Sequence, residues 1–195
     1  MNWNGIELPD KPYYQDDAVI IYNADCREIL PLIPDKSIDL VLTDPPYGLN
    51  ILMQGGTWGI KFKHSDMQKW DYLVAQSLID IVILKSKQSI IWGGNYYKMP
   101  PSRCWLSWDK LQKLETLADF ELAWTNFDKP CKSWTERRNH AENGNQHLTQ
   151  KPISLFKWCI IQADSPQTIL DPFMGSGTTL RASKELTRKC IGIEI

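Results

Sequence analysis

The sequence predicts a single α/β domain built on a mostly parallel sheet with helices on both faces. Three observations carry that prediction. Short β-branched or apolar runs alternate with helical segments at both ends of the chain. Two of those runs end in stiff or glycine-rich turns that begin with Asp. The 195 residues suffice for one well-buried core and are short for two. Hydrophobic residues at 43% and charged residues at 23% match an ordinary globular protein, which excludes disordered and fibrous classes.

The elements follow in order. Residues 18–22 form a short β-branched strand, and 26–33 a short helix that Asp25 caps, with Glu28 completing a capping-box pair. Pro34 to Ser37 ends that helix, and 38–43 is a second strand, giving the unit of a parallel sheet. Residues 48–71, with Gly55, Gly56 and Gly59 and no periodicity, read as a mobile loop. A helix is expected over 72–84, a buried strand over 89–92, and further strands over 104–108 and 120–125. The polar stretch 126–150 reads as irregular. A helix at 153–163, a strand at 168–170, a helix at 178–186 and a strand at 190–194 complete the pattern.

Several functional classes lose support at once. No apolar run approaches the length of a membrane span, and Met1-Asn2-Trp3-Asn4 is not the start of a signal peptide, so a cytoplasmic protein without membrane contact is expected. Cys26, Cys104, Cys131, Cys159 and Cys190 are scattered and never paired as C-x-x-C, which predicts buried free thiols. No metal site is expected, since His140 and His147 do not share a helical face and lack cysteine partners. Residues 1–50 carry nine acids against three bases, whereas 85–113 carry six bases against Asp109 alone. That asymmetry is compatible with a polyanion over part of the surface, and equally with solvated charged faces.

Two strand ends look functional. In an open parallel sheet, ligands bind beyond the carboxyl ends of the strands. One such end is Thr43-Asp44-Pro45-Pro46-Tyr47, where two prolines fix φ and remove amide donors, so that carbonyls are presented in a set direction. The other is Asp171-Pro172-Phe173-Met174-Gly175-Ser176-Gly177-Thr178-Thr179, small residues ahead of a helix. This loop lacks the Lys of a triphosphate-binding loop and the third glycine of a dinucleotide fingerprint. Glu194, about 20 residues on at the end of the next strand, is placed to hold ribose hydroxyls. A nucleoside-bearing cofactor without a triphosphate is the reading. Read blandly, Asp44 ends a strand, Ser176 or Thr178 caps a helix, and Asp25 is only a cap.

Together with His147-Leu148-Thr149-Gln150-Lys151-Pro152, these motifs resemble the signatures of S-adenosylmethionine-dependent amino-group DNA methyltransferases. The Asp-Pro-Pro-Tyr element precedes the cofactor loop, as in the circularly permuted beta group of that family, and Trp92-Gly93-Gly94-Asn95-Tyr96-Tyr97 resembles a compact phage or prophage branch. The resemblance, over roughly residues 19–194, implies a permuted Rossmann-like methyltransferase fold. It divides the domain into a catalytic half (18–125), a small target-recognition segment (126–146) and a cofactor half (147–195). In the family a further helix generally follows the ribose carboxylate, whereas Glu194 is the penultimate residue here.

The resemblance also implies roles. Asp44 and the carbonyl of Pro45 would accept the two N–H bonds of an exocyclic amino group, while Pro46 stiffens the turn and Tyr47 stacks on a base flipped out of the duplex. S-adenosyl-L-methionine would be held by Asp171, Pro172, Phe173, Gly175, Ser176, Gly177, Thr178 and Thr179, with Glu194 on its ribose and Asp25 facing its adenine. Thr149, Gln150, Lys151 and Pro152 would bound the pocket near its methionine carboxylate. Candidate DNA contacts are Lys61, Lys63, Lys132, Arg137 and Arg138, with His64 and Trp58 in the same glycine-rich loop. The expected activity is methylation of adenine N6 in DNA, as in a restriction-modification enzyme, with a homodimer making up for the small recognition segment. The alternatives are cytosine-N4 methylation, RNA amino-methylation, which the motif order disfavours, and a catalytically silent DNA- or cofactor-binding protein.

Overall fold

Side-chain alternation along the central strands decides the architecture. Leu40 and Leu42 point to one face of the sheet and Val41 to the other, and Ile90 and Trp92 alternate in the same way with Ile91, as do Ile169 with Leu170 and Cys190 with Ile191. Strands apolar on both sides need cover on both sides. Each fully buried side chain of this kind contributes about 1.5–3 kcal/mol.

The computed structural model describes residues 2–3, 5–47, 74–111, 118–137 and 151–195. In chain order its elements are β1 (Asn2–Trp3), β2 (Ile6–Glu7), β3 (Tyr14–Gln15), β4 (Val19–Asn23), α1 (Cys26–Ile29), β5 (Ile38–Thr43), α2 (Gln76–Leu84), β6 (Ser86–Trp92), β7 (Trp105–Asp109), β8 (Phe120–Thr125), β9 (Lys132–Thr135), α3 (Ile153–Gln162), β10 (Thr168–Asp171), α4 (Thr178–Glu185) and β11 (Lys189–Glu194). Single 3-10 turns follow α1 at Leu30–Leu32 and β6 at Gly94–Tyr96. β1 and β2 form a small hairpin, and nine strands form one sheet in the order β3-β4-β11-β10-β5-β6-β8-β7-β9. β4, β11, β10, β5 and β6 are mutually parallel. β8 runs against β6 and β7, β9 runs with β7, and β3 runs against β4, so seven of the nine strands share one direction.

Helices α3 and α4 cover one face with Leu155, Phe156, Cys159, Ile160, Leu180 and Ala182. The other face is covered by Cys26 and Ile29 of α1, Val82 of α2, and Trp3, Ile6 and Leu8 of the N-terminal segment. The mostly parallel sheet with helices on both faces is therefore present. Cys26, Cys104, Cys159 and Cys190 are buried free thiols, while Cys131 is exposed. Among the described residues, no helix is long and apolar enough to cross a membrane and no group of three or more His, Cys, Asp or Glu side chains could hold a metal.

The structure departs from the sequence reading in several places. Residues 132–135, expected to be irregular, form the edge strand β9, paired in register from Leu106↔Lys132 to Asp109↔Thr135. The first helix stops being α-helical at Leu30, because Pro31 supplies no N–H and the chain tightens to a 3-10 turn. Helix α2 starts at Gln76, with Ala75 extended before it. Gly177, with φ of 82°, caps α4 in place of Ser176 or Thr178. The expected 48–71 loop, and with it Trp58, Lys61, Lys63 and His64, lies outside the described residues, as do Arg138, His140, His147, Thr149 and Gln150.

The charge asymmetry resolves largely inside the molecule. Lys85 pairs with Asp35 at 2.7 Å and Lys87 with Asp39 at 2.8 Å, so the basic stretch neutralises the acidic one across neighbouring elements. Lys110 is taken by Glu121 and Arg103 by Asp128. The polyanion reading of residues 85–113 thus loses most of its cations.

Candidate active site

Parallel pairing brings five strand ends to one edge of the sheet. The order β4, β11, β10, β5, β6 sets Asp25, Glu194, Asp171, Asp44 and Gly93 side by side. β10 pairs with β5 through Ile169↔Leu40 and Leu170↔Val41, so Asp171 and Thr43 end neighbouring strands. The Thr43 hydroxyl donates to Asp171 Oδ1 at 2.6 Å in a buried contact. The two motifs, 127 residues apart in sequence at Asp44 and Asp171, are joined one residue from Asp44.

Asp171 faces inward. Its carboxylate accepts from Thr43, from the Thr179 hydroxyl and from the Phe173 amide at 3.2 Å, and burial pushes its pKa up to about 6 against those stabilising donors. Its carboxylate is therefore a strut that shapes the loop from inside. Thr178 and Thr179 are likewise buried in the first turn of α4. The outward part of the loop is Gly175 and Ser176, and the Gly175 amide donates to Glu194 Oε2 at 2.8 Å. Among the described residues, a Cβ added at Gly175 or Gly177 would meet nothing within 4 Å, so open ground lies above the loop. Asp25 accepts from the Arg27 amide at 2.8 Å and pairs with the Arg27 side chain, so the capping reading of this residue is the one observed.

The Asp-Pro-Pro-Tyr turn is braced by the strand beside it. Tyr97 donates to the Pro46 carbonyl at 2.7 Å, and the Tyr47 ring stacks on Tyr96 with centroids 5.1 Å apart. Gly93 makes that packing possible, because at φ of 66° any Cβ would run into the Tyr47 ring. The Tyr47 hydroxyl donates to Asp44 Oδ1. Burial, with Asp44 and Glu121 close by, holds the phenol well above its ordinary pKa.

Lys151 enters this site from the residue before Pro152 and α3. Its ammonium donates to Asp44 Oδ2, to the Tyr47 hydroxyl at 3.2 Å, and pairs with Glu121 Oε2 at 3.2 Å. The Lys151 side chain is 5% exposed. Burial alone would lower its pKa, but Asp44 and Glu121 outweigh that and raise it. Its charge also lies over the rings of Trp92 and Tyr47, at 5.4 and 5.6 Å. Glu121, on β8, is held in turn by Lys110 at 2.5 Å. Burial opposes its ionisation, but Lys151 and Lys110 bring its pKa down to about 2.

Glu121, Lys110, Tyr96 and Tyr97 were not assigned roles from sequence, and Lys151 had been placed by the cofactor and not beside Asp44. Tyr96 and Tyr97 had a signal in the Trp92–Tyr97 motif. For Glu121 the signal was a lone acid within the apolar strand Phe120–Thr125.

Of the candidate DNA contacts that are described, Lys132 begins β9 and so lies at the opposite end of the sheet from Asp44. Arg137 is exposed two residues beyond the other end of β9, on the same edge as the site. Glu136, just before it, ties that edge to α3 by accepting from Ser154 and from Trp134.

This fold is the Rossmann-like α/β fold of methyltransferases. PvuII DNA methyltransferase (cytosine-N4-specific) shares it with a TM-score of 0.64 at 20% identity, over 96% of this chain and 86% of that one. The M1.HpyAVI–SAM complex does so with a TM-score of 0.55 at 20% identity, over 90% and 92%. A family model described as DNA methylase, of the N6/N4 methyltransferase type, matches residues 102–195. The type II methyltransferase M2.LlaDCHI of Lactococcus lactis subsp. cremoris is 24% identical over 96% of this chain and 88% of its own length. M.HinfI of Haemophilus influenzae is 29% identical over 89% of this chain and 64% of its own. The chain is thus similar to N6/N4 DNA methylases over residues 102–195 and to type II methyltransferases over most of its length.

Proposed function

We propose that this protein transfers a methyl group from S-adenosylmethionine to an exocyclic amino group of a base in DNA, adenine N6 being the first candidate. The observation that carries the reading is the Thr43–Asp171 hydrogen bond, which fixes the Asp-Pro-Pro-Tyr turn beside the glycine loop. The relatives being methyltransferases, and one of the similar structures being a complex with S-adenosylmethionine, support the cofactor.

The residues present fit such a cofactor. Glu194 uses Oε2 on the Gly175 amide, which leaves Oε1 toward a ribose, and Gly175 and Ser176 offer backbone without side-chain bulk. Bound there, S-adenosylmethionine supplies an electrophilic methyl on a sulfonium. The protein's part is positioning and electrostatics. An exocyclic amino nitrogen is a poor nucleophile because its lone pair is delocalised into the ring. When Asp44 and the Pro45 carbonyl each accept one N–H, the nitrogen pyramidalises and its lone pair turns out of the ring plane. The Pro46 carbonyl is already committed to Tyr97, which holds the turn in place. Tyr47 supplies the aromatic face for a base taken out of the helix. After transfer the nitrogen is cationic, and its proton leaves through Asp44 or water.

Asp at the first motif position favours adenine. Cytosine N4 is the second reading, supported by the fold shared with a cytosine-N4-specific enzyme. Incubation with radiolabelled S-adenosylmethionine and unmethylated DNA, followed by nucleoside analysis, tests both. Label in N6-methyladenine is expected, and label only in N4-methylcytosine would move the assignment. Asp44→Ala should abolish transfer and leave cofactor binding nearly intact. Residual activity in that variant would refute the role of Asp44.

A further inference from the structure

We propose that Lys151, positioned by Glu121, reads the ring nitrogen next to the amino group of the target base, so that Asp44 and Lys151 form an acceptor–donor pair for the Watson–Crick edge of adenine or cytosine. The proposal rests on the amino-methyltransferase reading above and adds a specificity determinant to it. An ammonium carries three N–H donors. Those of Lys151 go to Asp44 Oδ2, to Glu121 Oε2 at 3.2 Å and to the Tyr47 hydroxyl at 3.2 Å. The first two are ion pairs that anchor the group. The third points at a hydroxyl that also donates to Asp44 Oδ1.

The Tyr47 hydroxyl thus presents a donor to the carboxylate and an acceptor to the ammonium. Adenine presents the same pair as N6–H and N1, and cytosine as N4–H and N3. Guanine and thymine present the reverse, a keto oxygen beside a ring N–H. Against this site they would set an oxygen on a carboxylate and an N–H on an ammonium. Tyr47 is therefore a placeholder. It leaves Asp44 when a base enters, and its ring is then available for stacking. Glu121 and Lys110 touch no reacting atom in this scheme. They hold the Lys151 ammonium in place, with Lys110 on Glu121 at 2.5 Å and both lysines almost fully buried, at 3% and 5% exposure.

The test changes one atom of the substrate. Once the methylated base and its sequence are mapped, duplex oligonucleotides carry 1-deazaadenine, or 3-deazacytosine, at the target position. Loss of a hydrogen bond to a charged donor should lower wild-type kcat/KM by about 10- to 100-fold. Lys151→Met should be slow on the natural base and show little further loss on the deaza base, and Glu121→Gln should shrink the deaza penalty in the same sense. A wild type that methylates the deaza base as well as the natural one would overturn the proposal, whether or not the variants fold. So would a full deaza penalty retained in Lys151→Met, or a Lys151-dependent penalty with 7-deazaadenine in place of 1-deazaadenine. Transfer without this coupling sinks only the role of Lys151, whereas absence of transfer to any DNA sinks the proposed function and this inference with it.

Discussion

Asp171 shows how a residue can be legible in sequence before its partners are. Its motif marked it, but only the fold reveals that the carboxylate turns away from the crevice toward Thr43 and Thr179. The consequence is a stability effect with a definite sign. Burial raises the folded pKa to about 6 from an ordinary 3.8, so the folded state binds the proton more tightly than the unfolded chain. The stabilisation is complete below the unfolded pKa and is lost as pH rises through 6. Asp171→Asn should therefore gain stability relative to wild type by on the order of 3 kcal/mol between pH 4 and pH 7, read as the difference in urea unfolding free energies. Asp44 and Tyr47 were legible for the opposite reason, since prolines at 45 and 46 make that turn unlike an ordinary strand end. Glu121 and Lys110 were not, because a lone charge on a strand reads as a solvated face until the partner element is known.

At the scale of elements, strong alternation made the central strands predictable and its absence hid β9. Strands β5 and β8 match their expected bounds, β4, β6, β7, β10 and β11 lie within a few residues of theirs, and the short strands β1, β2 and β3 had no counterpart in the sequence reading. Lys132–Thr135 has no apolar stripe and three exposed residues, so nothing local distinguishes it from a loop. It is a strand because the edge of β7 offers unpaired backbone groups. Strand β8 meets the chain just before α3 through Glu121 and Lys151, a join made of buried charge. Glu121→Leu would take the shared carboxylate from Lys110 and leave Lys151 to Asp44, at a cost of about 3–5 kcal/mol near neutral pH. Since the folded pKa of Glu121 is lowered to about 2 from 4.5, its contribution is present above 4.5 and lost as pH falls through 2. Urea unfolding of the two proteins should accordingly differ at pH 7 and converge as the pH approaches 2.

For the whole molecule, the order of strands matters more than their number. β10 and β11 lie between β4 and β5 in the sheet, so the N-terminal strand–helix–strand unit is split and its gap filled by the last part of the chain. The parallel topology was legible from alternating elements. This insertion was legible only through the resemblance to a circularly permuted fold, because pairing partners far apart in sequence leave no local trace. A chain ending at residue 167 should give no cooperative unfolding transition by circular dichroism, since β4 and β5 would each lack their central partner. A cooperative transition like that of the whole chain would show that the sheet closes without β10 and β11.

Insertion of the last two strands also bears on when the protein becomes competent during its own synthesis. While residues up to 167 are leaving the ribosome, β4 and β5 have no neighbours on their inner flanks, and Thr43 has no Asp171 to hold. The Asp-Pro-Pro-Tyr turn cannot be locked until β10 and β11 pair, which makes that step non-local. During synthesis the strand end that carries Asp44 stays without its Asp171 brace until β10 has emerged.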